Sequence, residues 1–373
     1  MTGTDANSQQ RAKRYEAIHN VVFLGETLYT LGLLVYFLAS GASEGLADYS
    51  RSLSANPWIS TAVYAAAVVV ATKLVFLPVN WFGDYFLEHQ FALSNESFGP
   101  WLLDEVKSLG LNLLLGVLVL DVLYFLLRRA GDWWWVGAGV FFLLFGVVMS
   151  VLYPVLILPL FYKLDPLENE SLRARLTALA QRVGASVLGV YRMAMSEKTR
   201  KANAAFAGLG ATKRIILGDT LLDHFTEDEI EVVMAHEMAH YKHGDISKLI
   251  AWSAATTFVG LKIADVVLHG ALPRYGFSGV DDLGAFPLLA LCLFGFGLAV
   301  MPVNNAFSRW REWKADATAL DLTRNPDGFI RAMRKLAGQN LADLSPHPVI
   351  EFLLHDHPSL GRRIAWAEQW RAS

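Results

Sequence analysis

Two histidines four residues apart, with a glutamate after the first, are the residues of this chain best suited to chemistry. They are His236, Glu237 and His240. On an α-helix, positions i and i+4 lie on one face, so both imidazoles can bind one metal ion. Two neutral nitrogen ligands and a nearby general base are what a zinc-dependent hydrolase needs. A motif this short also arises by chance, and its histidines are then ordinary surface residues.

The residues around this motif predict a helix. Thr226 followed three residues later by Glu229 is a capping box, which marks a helix start. The apolar residues of one face of this helix are Ile230, Val232, Val233, Met234 and Met238. A histidine on a buried helix needs a polar partner, and a metal ion is one way to supply it. We therefore expect a zinc-binding helix over residues 226–247.

A second helical stretch offers a third ligand, which catalytic zinc takes while keeping one position open. Residues 305–316 contain no glycine or proline, and Glu312 and Asp316 lie four residues apart within them, on one helical face. Glu312 is the candidate ligand, and Asp316 is the candidate acceptor for the far nitrogen of a ligand histidine. From these residues alone, a solvated charged face paired with neighbouring basic residues is the favoured interpretation.

Taken together, the two segments resemble the type I CAAX prenyl protease family of membrane-embedded zinc metallopeptidases. Residues 236–240 match the zinc-helix motif of that family, and residues 305–316 match its third-ligand motif. Further matching blocks follow in the family's order at 88–94, 158–164, 203–209, 213–222 and 357–364. The resemblance implies a zincin-like α+β protease domain joined to a bundle of membrane helices. The Ala-, Gly- and Val-rich helices favour a prokaryotic member.

Departures from the family pattern concern the substrate rather than the metal. Phe91-Ala92-Leu93 stands where the family has Gly-Phe-Asn, and His357 is followed by Pro-Ser instead of Pro-Pro. One membrane helix is missing relative to eukaryotic members. The resemblance therefore implies the metal chemistry and leaves open whether the substrate is prenylated.

The resemblance also implies a role for each residue of the metal site. One Zn²⁺ per chain is bound by His236, His240 and Glu312, with Asp316 hydrogen-bonded behind a ligand histidine. Zinc held in this way activates water and polarises a carbonyl. Glu237 is the general base, which takes a proton from the attacking water and passes it to the leaving amine.

The C-terminal block and the strand region supply the remaining candidates. By its match to the family block, His357 stabilises the oxyanion, and Arg363 orients it or adds positive charge. His355 is an alternative for the same role. Asn203 lies in a predicted edge strand, where its amide could bind the backbone of an extended peptide. An asparagine in a turn near Gly208 is an equally good interpretation of that position.

Composition indicates a membrane protein. The chain has 373 residues, of which 54% are hydrophobic, and its mean hydropathy is +0.34, too apolar for an ordinary soluble enzyme. The net charge of −3 gives no support to nucleic-acid binding. The single cysteine, Cys292, excludes an intramolecular disulfide. The expected partners are the lipid bilayer and a peptide or protein substrate, with lipidation or membrane anchoring of that substrate left open.

Six apolar stretches reach the roughly twenty residues needed to cross a bilayer. They are residues 21–40, 58–79, 109–127, 134–158, 250–268 and 286–303. Arg11, Lys13 and Arg14 precede the first stretch and only Arg51 follows it, so the positive-inside rule places the N-terminus in the cytoplasm. Six crossings then bring residues 160–247 and the C-terminal tail to the cytoplasmic side, of the inner membrane in a bacterial source.

The expected fold class is mainly α: a polytopic membrane protein with about six transmembrane helices and a small α+β protease domain. We expect four parts, which are an N-terminal membrane domain with four helices (1–163), a zincin segment with the H-E-x-x-H helix (164–249), two more membrane helices (250–303) and a helical part that completes the zinc site (304–373). Within the zincin segment, residues 165–182 predict an amphipathic helix, and residues 187–195 and 214–217 predict strands.

The leading hypothesis is a zinc-dependent integral-membrane endopeptidase that hydrolyses peptide bonds near the cytoplasmic membrane face. A heat-shock-type quality-control metalloprotease shares the zinc motifs, but usually has a shorter chain and fewer spans. A non-catalytic transporter or receptor with an incidental motif fits the charged residues inside the apolar stretches and predicts no zinc. A site-two-type intramembrane protease needs the motif inside a span, which the charged residues flanking 236–240 exclude.

Overall fold

Long helices dominate the computed structural model, which describes residues 3–372. The α-helices of the described residues are α1 (Gly3–Ala39), α2 (Ala42–Leu53), α3 (Pro57–Asn80), α4 (Glu88–Gln90), α5 (Phe98–Arg129), α6 (Trp134–Leu152), α7 (Leu158–Phe161), α8 (Glu170–Arg182), α9 (Asp219–Leu222), α10 (Glu227–Lys242), α11 (Asp245–Tyr275), α12 (Phe286–Thr323), α13 (Pro326–Gln339), α14 (Pro348–Leu354) and α15 (Leu360–Ala372). Two π-helical turns, Trp81–Leu87 and Tyr153–Ile157, continue α3 and α6. A proline close to each turn, Pro78 or Pro154, lacks the N–H needed for the regular ladder.

Six helices are long and apolar enough to cross a membrane. They extend over Asn7–Ala39, Pro57–Gln90, Phe98–Arg129, Gly131–Phe161, Asp245–Tyr275 and Leu283–Thr323. The six predicted spans fall on these six helices, so the predicted polytopic helical fold is confirmed. Large apolar side chains such as Val21, Leu74 and Leu114 are exposed on these helices, as expected where lipid replaces water.

A small sheet lies between the fourth and fifth spans along the chain. Its strands are β1 (Leu164–Pro166), β2 (Val190–Met193), β3 (Ala204–Ala207) and β4 (Arg214–Gly218), in the spatial order β1-β2-β4-β3. β2 and β4 are parallel, whereas β1 pairs antiparallel with β2 and β3 antiparallel with β4. β3 therefore has a free edge. The predicted strands correspond to β2 and β4, and β1 has too few residues to give a pattern in the sequence.

One hydrophobic core supports the protease half of the chain. Fully buried side chains from α8, β4, α10 and α13 meet there, among them Leu176, Leu217, Met234 and Phe329. Burying one such side chain contributes about 1.5–3 kcal/mol. The apolar face of α10 is thus fixed in the core, which sets the direction of its opposite, polar face.

α11 and α12 pass without a break across two of the expected borders between parts of the chain. The border at 249 falls inside α11, and the border at 303 falls inside α12. The division into four parts stays a prediction, because these helices belong both to the apolar bundle and to the protease half. The helix that crosses the membrane last also carries the candidate third ligand.

Candidate active site

α10 presents the two histidines of the motif on one face. The capping box forms as predicted, with the Thr226 amide donating to Glu229 Oε2 at 2.9 Å and the Glu229 amide donating to Thr226 Oγ1 at 3.4 Å. α10 ends at Lys242, before Gly244, whose φ of 64° is the left-handed conformation that favours glycine. The predicted helix over 226–247 is thus two helices, with the histidines in the first.

α12 packs against α10 and brings Glu312 to both histidines. Glu312 Oε2 lies 3.1 Å from His236 Nε2, and Glu312 Oε1 lies 3.3 Å from His240 Nε2. Each of the three residues offers one ligand atom, and these atoms lie within 4.8 Å of one another. The glutamate is 2% exposed. The solvated charged face considered for this residue from the sequence is therefore not what the fold builds.

The donor set fits a zinc ion. Glu312 Oε2 is buried and has no hydrogen-bond partner among the described residues, although His236 Nε2 is close to it. A buried carboxylate oxygen without a partner is costly, and a cation supplies the missing interaction. Two imidazole nitrogens and one carboxylate oxygen are the ligands of a catalytic zinc site.

A buried ion pair stands behind His236. Asp316 Oδ1 lies 2.8 Å from His236 Nδ1, and Asp316 in turn accepts hydrogen bonds from Arg363 Nε at 2.9 Å and Nη2 at 2.6 Å. Burial and the Arg363 charge act to lower the pKa of His236, but the Asp316 and Glu312 carboxylates outweigh them and raise it to about 9. The contact with Asp316 leaves Nε2 directed at the cluster.

His240 has a partner of its own, Asp245, which sequence reasoning missed. Asp245 Oδ2 lies 3.0 Å from His240 Nδ1, and Asp245 is 3% exposed. Asp245 is the first residue of α11, just after the left-handed Gly244. The sequence signal for this contact was a glycine followed by an acidic residue shortly after the motif. A helix that ends at such a glycine can place the acid beside the second histidine.

Glu237 follows His236 on α10, and His357 lies beside Glu312. The Glu237 carboxylate is half-buried and makes no hydrogen bond or ion pair with any described residue. His357 Nε2 lies 3.4 Å from Glu312 Oε1, and its Nδ1 lies 2.8 Å from Asp356 Oδ1. The hydrogen bond to Asp356 raises the pKa of His357 although burial acts against it. His355 turns away and contacts Glu16 of α1 at 3.3 Å.

Arg363 contacts Asp316 rather than His357, and its expected role of orienting His357 or adding positive charge stays a prediction. It is 6% exposed and bonded to Asp316, and no hydrogen bond links it to His357 within residues 3–372. The expectation that it orients His357 directly has no contact to support it. Its position behind His236 instead neutralises Asp316, because a buried carboxylate needs a charged or hydrogen-bonding partner.

Comparison with known proteins identifies the family of this site. A family model described as the N-terminal part of CAAX prenyl proteases, with five membrane helices, matches residues 3–163. The model of peptidase family M48 matches residues 166–371, which include all the residues of the cluster. The chain belongs to peptidase family M48. It is an integral, multi-pass membrane metalloprotease of the CAAX prenyl protease type, and its family implies zinc.

Relatives span nearly the whole chain. The Bacillus subtilis (strain 168) protein named Uncharacterized metalloprotease YhfN is 29% identical over 362 residues, which cover 96% of this chain and 85% of the relative. The Saccharomyces cerevisiae protein named CAAX prenyl protease 1 is 29% identical over 316 residues, covering 79% of this chain and 68% of the relative. The crystal structure of S. mikatae Ste24p has the same fold, with a TM-score of 0.87, 22% identity, and coverage of 97% and 89%.

This M48 protease uses α12 to hold the segment that carries His357. Arg309 Nη1 donates to the carbonyls of Glu351 at 3.0 Å and Phe352 at 3.3 Å, and also to that of His355. Asn305 Nδ2 donates to the Leu353 carbonyl at 2.7 Å. Phe352 and Leu353 lie in the last turn of α14, where carbonyls lack a partner within the helix, and His355 follows that helix. Sequence reasoning placed Arg309 and Asn305 in the third-ligand motif without a contact to α14, and the structure shows that both side chains bind carbonyls at its end.

The M48 protease presents β3 beside the zinc helix. The ring of Phe206 lies 5.7 Å from that of Tyr241, which follows His240 on α10. Asn203 is exposed immediately before β3, and its carbonyl accepts a hydrogen bond from the Gly218 amide at 2.9 Å. Its side-chain amide has no hydrogen bond to another described residue. The predicted edge strand is thus present, with Asn203 at its start.

Proposed function

We propose that this M48 protease hydrolyses peptide bonds of membrane-associated substrates at the cytoplasmic face of the membrane. The observation that carries the proposal is the cluster of His236, His240 and Glu312, in which a buried carboxylate oxygen lacks a hydrogen-bond partner. The unpaired Glu237 carboxylate beside it is suited to general-base catalysis, which needs an acceptor that no other group occupies.

In the proposed mechanism, each residue has one task. His236, His240 and Glu312 hold zinc, which when bound acts as a Lewis acid toward water and the scissile carbonyl. Glu237 accepts a proton from the attacking water and delivers it to the leaving amine. His357 donates a hydrogen bond to the oxyanion that forms on the substrate carbonyl.

Two further residues act on the histidine ligand rather than on the substrate. Asp316 accepts the Nδ1 hydrogen of His236, which keeps the other nitrogen free for the metal. Arg363 compensates the Asp316 charge in the protein interior. Arg363 is therefore proposed as a positioning residue and not as a group that contacts substrate.

We propose that the substrate binds as an additional strand on the free edge of β3. Peptides commonly bind by strand addition where a sheet leaves backbone groups unpaired. Asn203, at the start of that edge, offers a side-chain amide to the peptide backbone near the scissile bond. The class of substrate is the C-terminal or juxtamembrane segment of a membrane-anchored protein, and the names of the eukaryotic relatives extend this to prenylated segments.

Charge distribution supports a cytoplasmic active site. Three basic residues, Arg11, Lys13 and Arg14, precede or begin the first apolar stretch, and Arg51 alone lies in the loop after it. With six crossings, the zinc helix and the C-terminal helices share the compartment of the N-terminus. In a bacterial source this is the cytoplasmic side of the inner membrane.

The decisive experiment compares three forms of the detergent-purified protein with bound zinc measured in each. Wild type, Glu237→Gln and the control Glu227→Gln are incubated with a quenched fluorescent peptide, farnesylated and unmodified, with and without a zinc chelator. Glu227 is a suitable control because it lies on the same helix and its carboxylate hydrogen-bonds only Asn169 and Ser171 within residues 3–372. We expect the Glu237→Gln protein to keep zinc and lose about 10²–10⁴-fold in kcat.

Zinc-dependent cleavage by wild type and the control alone supports the proposal, and the ratio of rates on the two peptides defines the role of the prenyl group. Zinc-free protein, or cleavage that survives Glu237→Gln, rejects it. The transporter or receptor hypothesis predicts that outcome.

A further inference from the structure

The free edge of β3 is open over only part of its length. Asn203 accepts a hydrogen bond from Gly218 of β4 at 2.9 Å, so its backbone points to β4. Backbone direction alternates along an extended strand. Ala202, Ala204 and Phe206 therefore direct their backbone groups away from β4, toward the side on which a peptide could pair.

At Ala202 this side is already occupied. The Ala202 amide donates to Asn340 Oδ1 at 2.8 Å, and Asn340 Nδ2 donates to the Ala202 carbonyl at 3.1 Å. Paired residues of an antiparallel ladder exchange the same two bonds. The carboxamide of Asn340 thus imitates one residue of a neighbouring strand, and Ala202 is only 5% exposed beneath it.

Other groups occupy the chain before Ala202. The Arg200 amide donates to the Leu93 carbonyl at 2.8 Å, and Ser94 pairs antiparallel with Thr199. In contrast, the backbones of Ala204 and Phe206 make no hydrogen bond beyond the sheet itself with any residue from 3 to 372. The part of the edge that remains available begins after Asn340.

Asn340 is held in place by its own backbone. It follows the last residue of α13, and its amide donates to the Leu336 carbonyl at 2.9 Å. The next residue, Leu341, has a φ of 50° and is buried in a cluster with Tyr15 and Phe91. The backbone that carries the carboxamide is thus fixed, and moving the carboxamide aside breaks both of its hydrogen bonds to Ala202.

We infer that Asn340 closes the substrate-binding edge of β3 and limits how far a paired substrate extends toward Ala202. This inference rests on the proposed strand addition at β3. A peptide that ends before Ala202 keeps all its backbone pairs, whereas a longer one has to leave the strand direction at Asn340. Asn340 is therefore a specificity-determining residue for substrate length on one side of the scissile bond.

The test uses two nested series of unmodified quenched peptides around one cleavage site. One series is extended residue by residue at the N-terminus and the other at the C-terminus, and kcat/KM and the cleavage position are measured for each peptide. For wild type we expect kcat/KM to fall about tenfold at one peptide length, and in only one of the two series. A tenfold fall corresponds to the loss of roughly one hydrogen-bonded backbone pair. In Asn340→Ala this fall moves to a longer peptide or disappears, while the shortest peptide is cleaved at the wild-type rate.

Gln339→Ala is the matched control. Its side chain donates to the carbonyls of Arg200 at 2.8 Å and Thr220 at 3.1 Å without covering the edge at Ala202. We expect it to leave the length profile unchanged. If Asn340→Ala does not fold, Asn340→Ser replaces it, because serine is too short to imitate a peptide group.

Two results overturn the inference while leaving the proposed function intact. One is a wild-type profile with no step in either series, and the other is a step that Asn340→Ala leaves at the same length. A uniform loss over all lengths with a lower melting temperature also overturns it, because that is the behaviour of a structural residue. Zinc-bound wild type that cleaves no peptide refutes the proposed function itself and the inference with it.

Discussion

At the scale of single residues, the two candidate ligand histidines are supported in different ways. The partner of His236 is Asp316, which is 0% exposed and neutralised by Arg363. The partner of His240 is Asp245, which is buried but also binds the exposed ammonium group of Lys248 at 3.3 Å. Removing the partner of a fully buried charge costs more free energy than removing the partner of a charge that solvent can reach. The first pair therefore matters more for the metal.

Asp316→Asn is expected to lower zinc affinity about 10–100-fold, because it weakens the acceptor behind His236 and leaves Arg363 without its counter-charge. The measurement is competition with a chromogenic chelator in detergent. Asp321→Asn on the same helix is the control, since its carboxylate is 61% exposed. Equal zinc affinities for both variants contradict the proposed support of His236.

Asp219 makes a pH-dependent contribution to stability. It is 1% exposed and accepts hydrogen bonds from the amides of Met195 and Ser196, each at 2.8 Å. Burial alone raises its pKa, but these bonds and that of the Ser196 hydroxyl hold the pKa below its ordinary value. A carboxyl group whose pKa is lower in the folded than in the unfolded protein stabilises the fold at pH values above its unfolded-state pKa. This stability is lost as the pH falls through the folded-state pKa.

We therefore expect Asp219→Asn to destabilise the protein by about 1–3 kcal/mol at pH 7. The difference in melting temperature from wild type shrinks as the pH is lowered below about 4, because the unfolded chain binds a proton at Asp219 more readily than the native protein does. Scanning fluorimetry at a series of pH values measures this, with the exposed Asp223→Asn as control. A difference that stays constant with pH excludes the charge as its source.

Residue types predicted only part of this site. His236, Glu237 and His240 could be found because ligand chemistry and helical spacing restrict them, whereas Glu312 needed the family resemblance. Asp245 was missed because its contact depends on the end of α10 at the left-handed Gly244, for which the glycine and the acid after it were the signal. The positions of His355 and His357 also required the fold, since residues two apart in an irregular segment point in unrelated directions, and their roles stay predictions.

At the scale of elements, one face of α12 makes two sets of contacts at different positions along the helix. Its later turns present Glu312 and Asp316 to α10, and its earlier turns present Asn305 and Arg309 to the end of α14. The loop that follows α14 carries His357 to the cluster. One helix therefore positions both the candidate ligand Glu312 and the segment that carries His357. The residues of α12 that make these contacts all lie within the motif at 305–316.

Arg309→Met is expected to reduce kcat by about tenfold or more with bound zinc unchanged, because the His357 loop loses its support while the ligands stay in place. Peptide turnover and metal content are measured together. Arg324→Met, at the exposed end of the same helix, is the control. Loss of zinc in Arg309→Met shows instead that the arginine supports α12 itself.

At the scale of the whole molecule, a polar junction ties the protease half to the membrane helices. Lys201 Nζ lies 2.8 Å from Glu88 Oε2 and 2.8 Å from Tyr15 Oη, and Tyr15 also bonds Glu88. These residues come from α1, α4 and the segment before β3. The lengths of the apolar stretches predicted the six spans, but such long-range contacts follow from packing that no local pattern encodes.

α12 is both the last membrane-spanning helix and the helix that carries Glu312. The helix has 38 residues and is about 57 Å long at 1.5 Å per residue. Its N-terminal half is apolar enough to lie in a membrane, and its C-terminal half is polar and includes Glu312. Helices tilt to match the thickness of the hydrocarbon layer. Glu312 lies in the C-terminal part of this helix. A change in helix tilt therefore alters the distance between Glu312 and α10 unless the helix bends at Pro302. We therefore expect turnover, measured in proteoliposomes of different acyl-chain lengths, to change with the host lipid although every catalytic side chain stays the same.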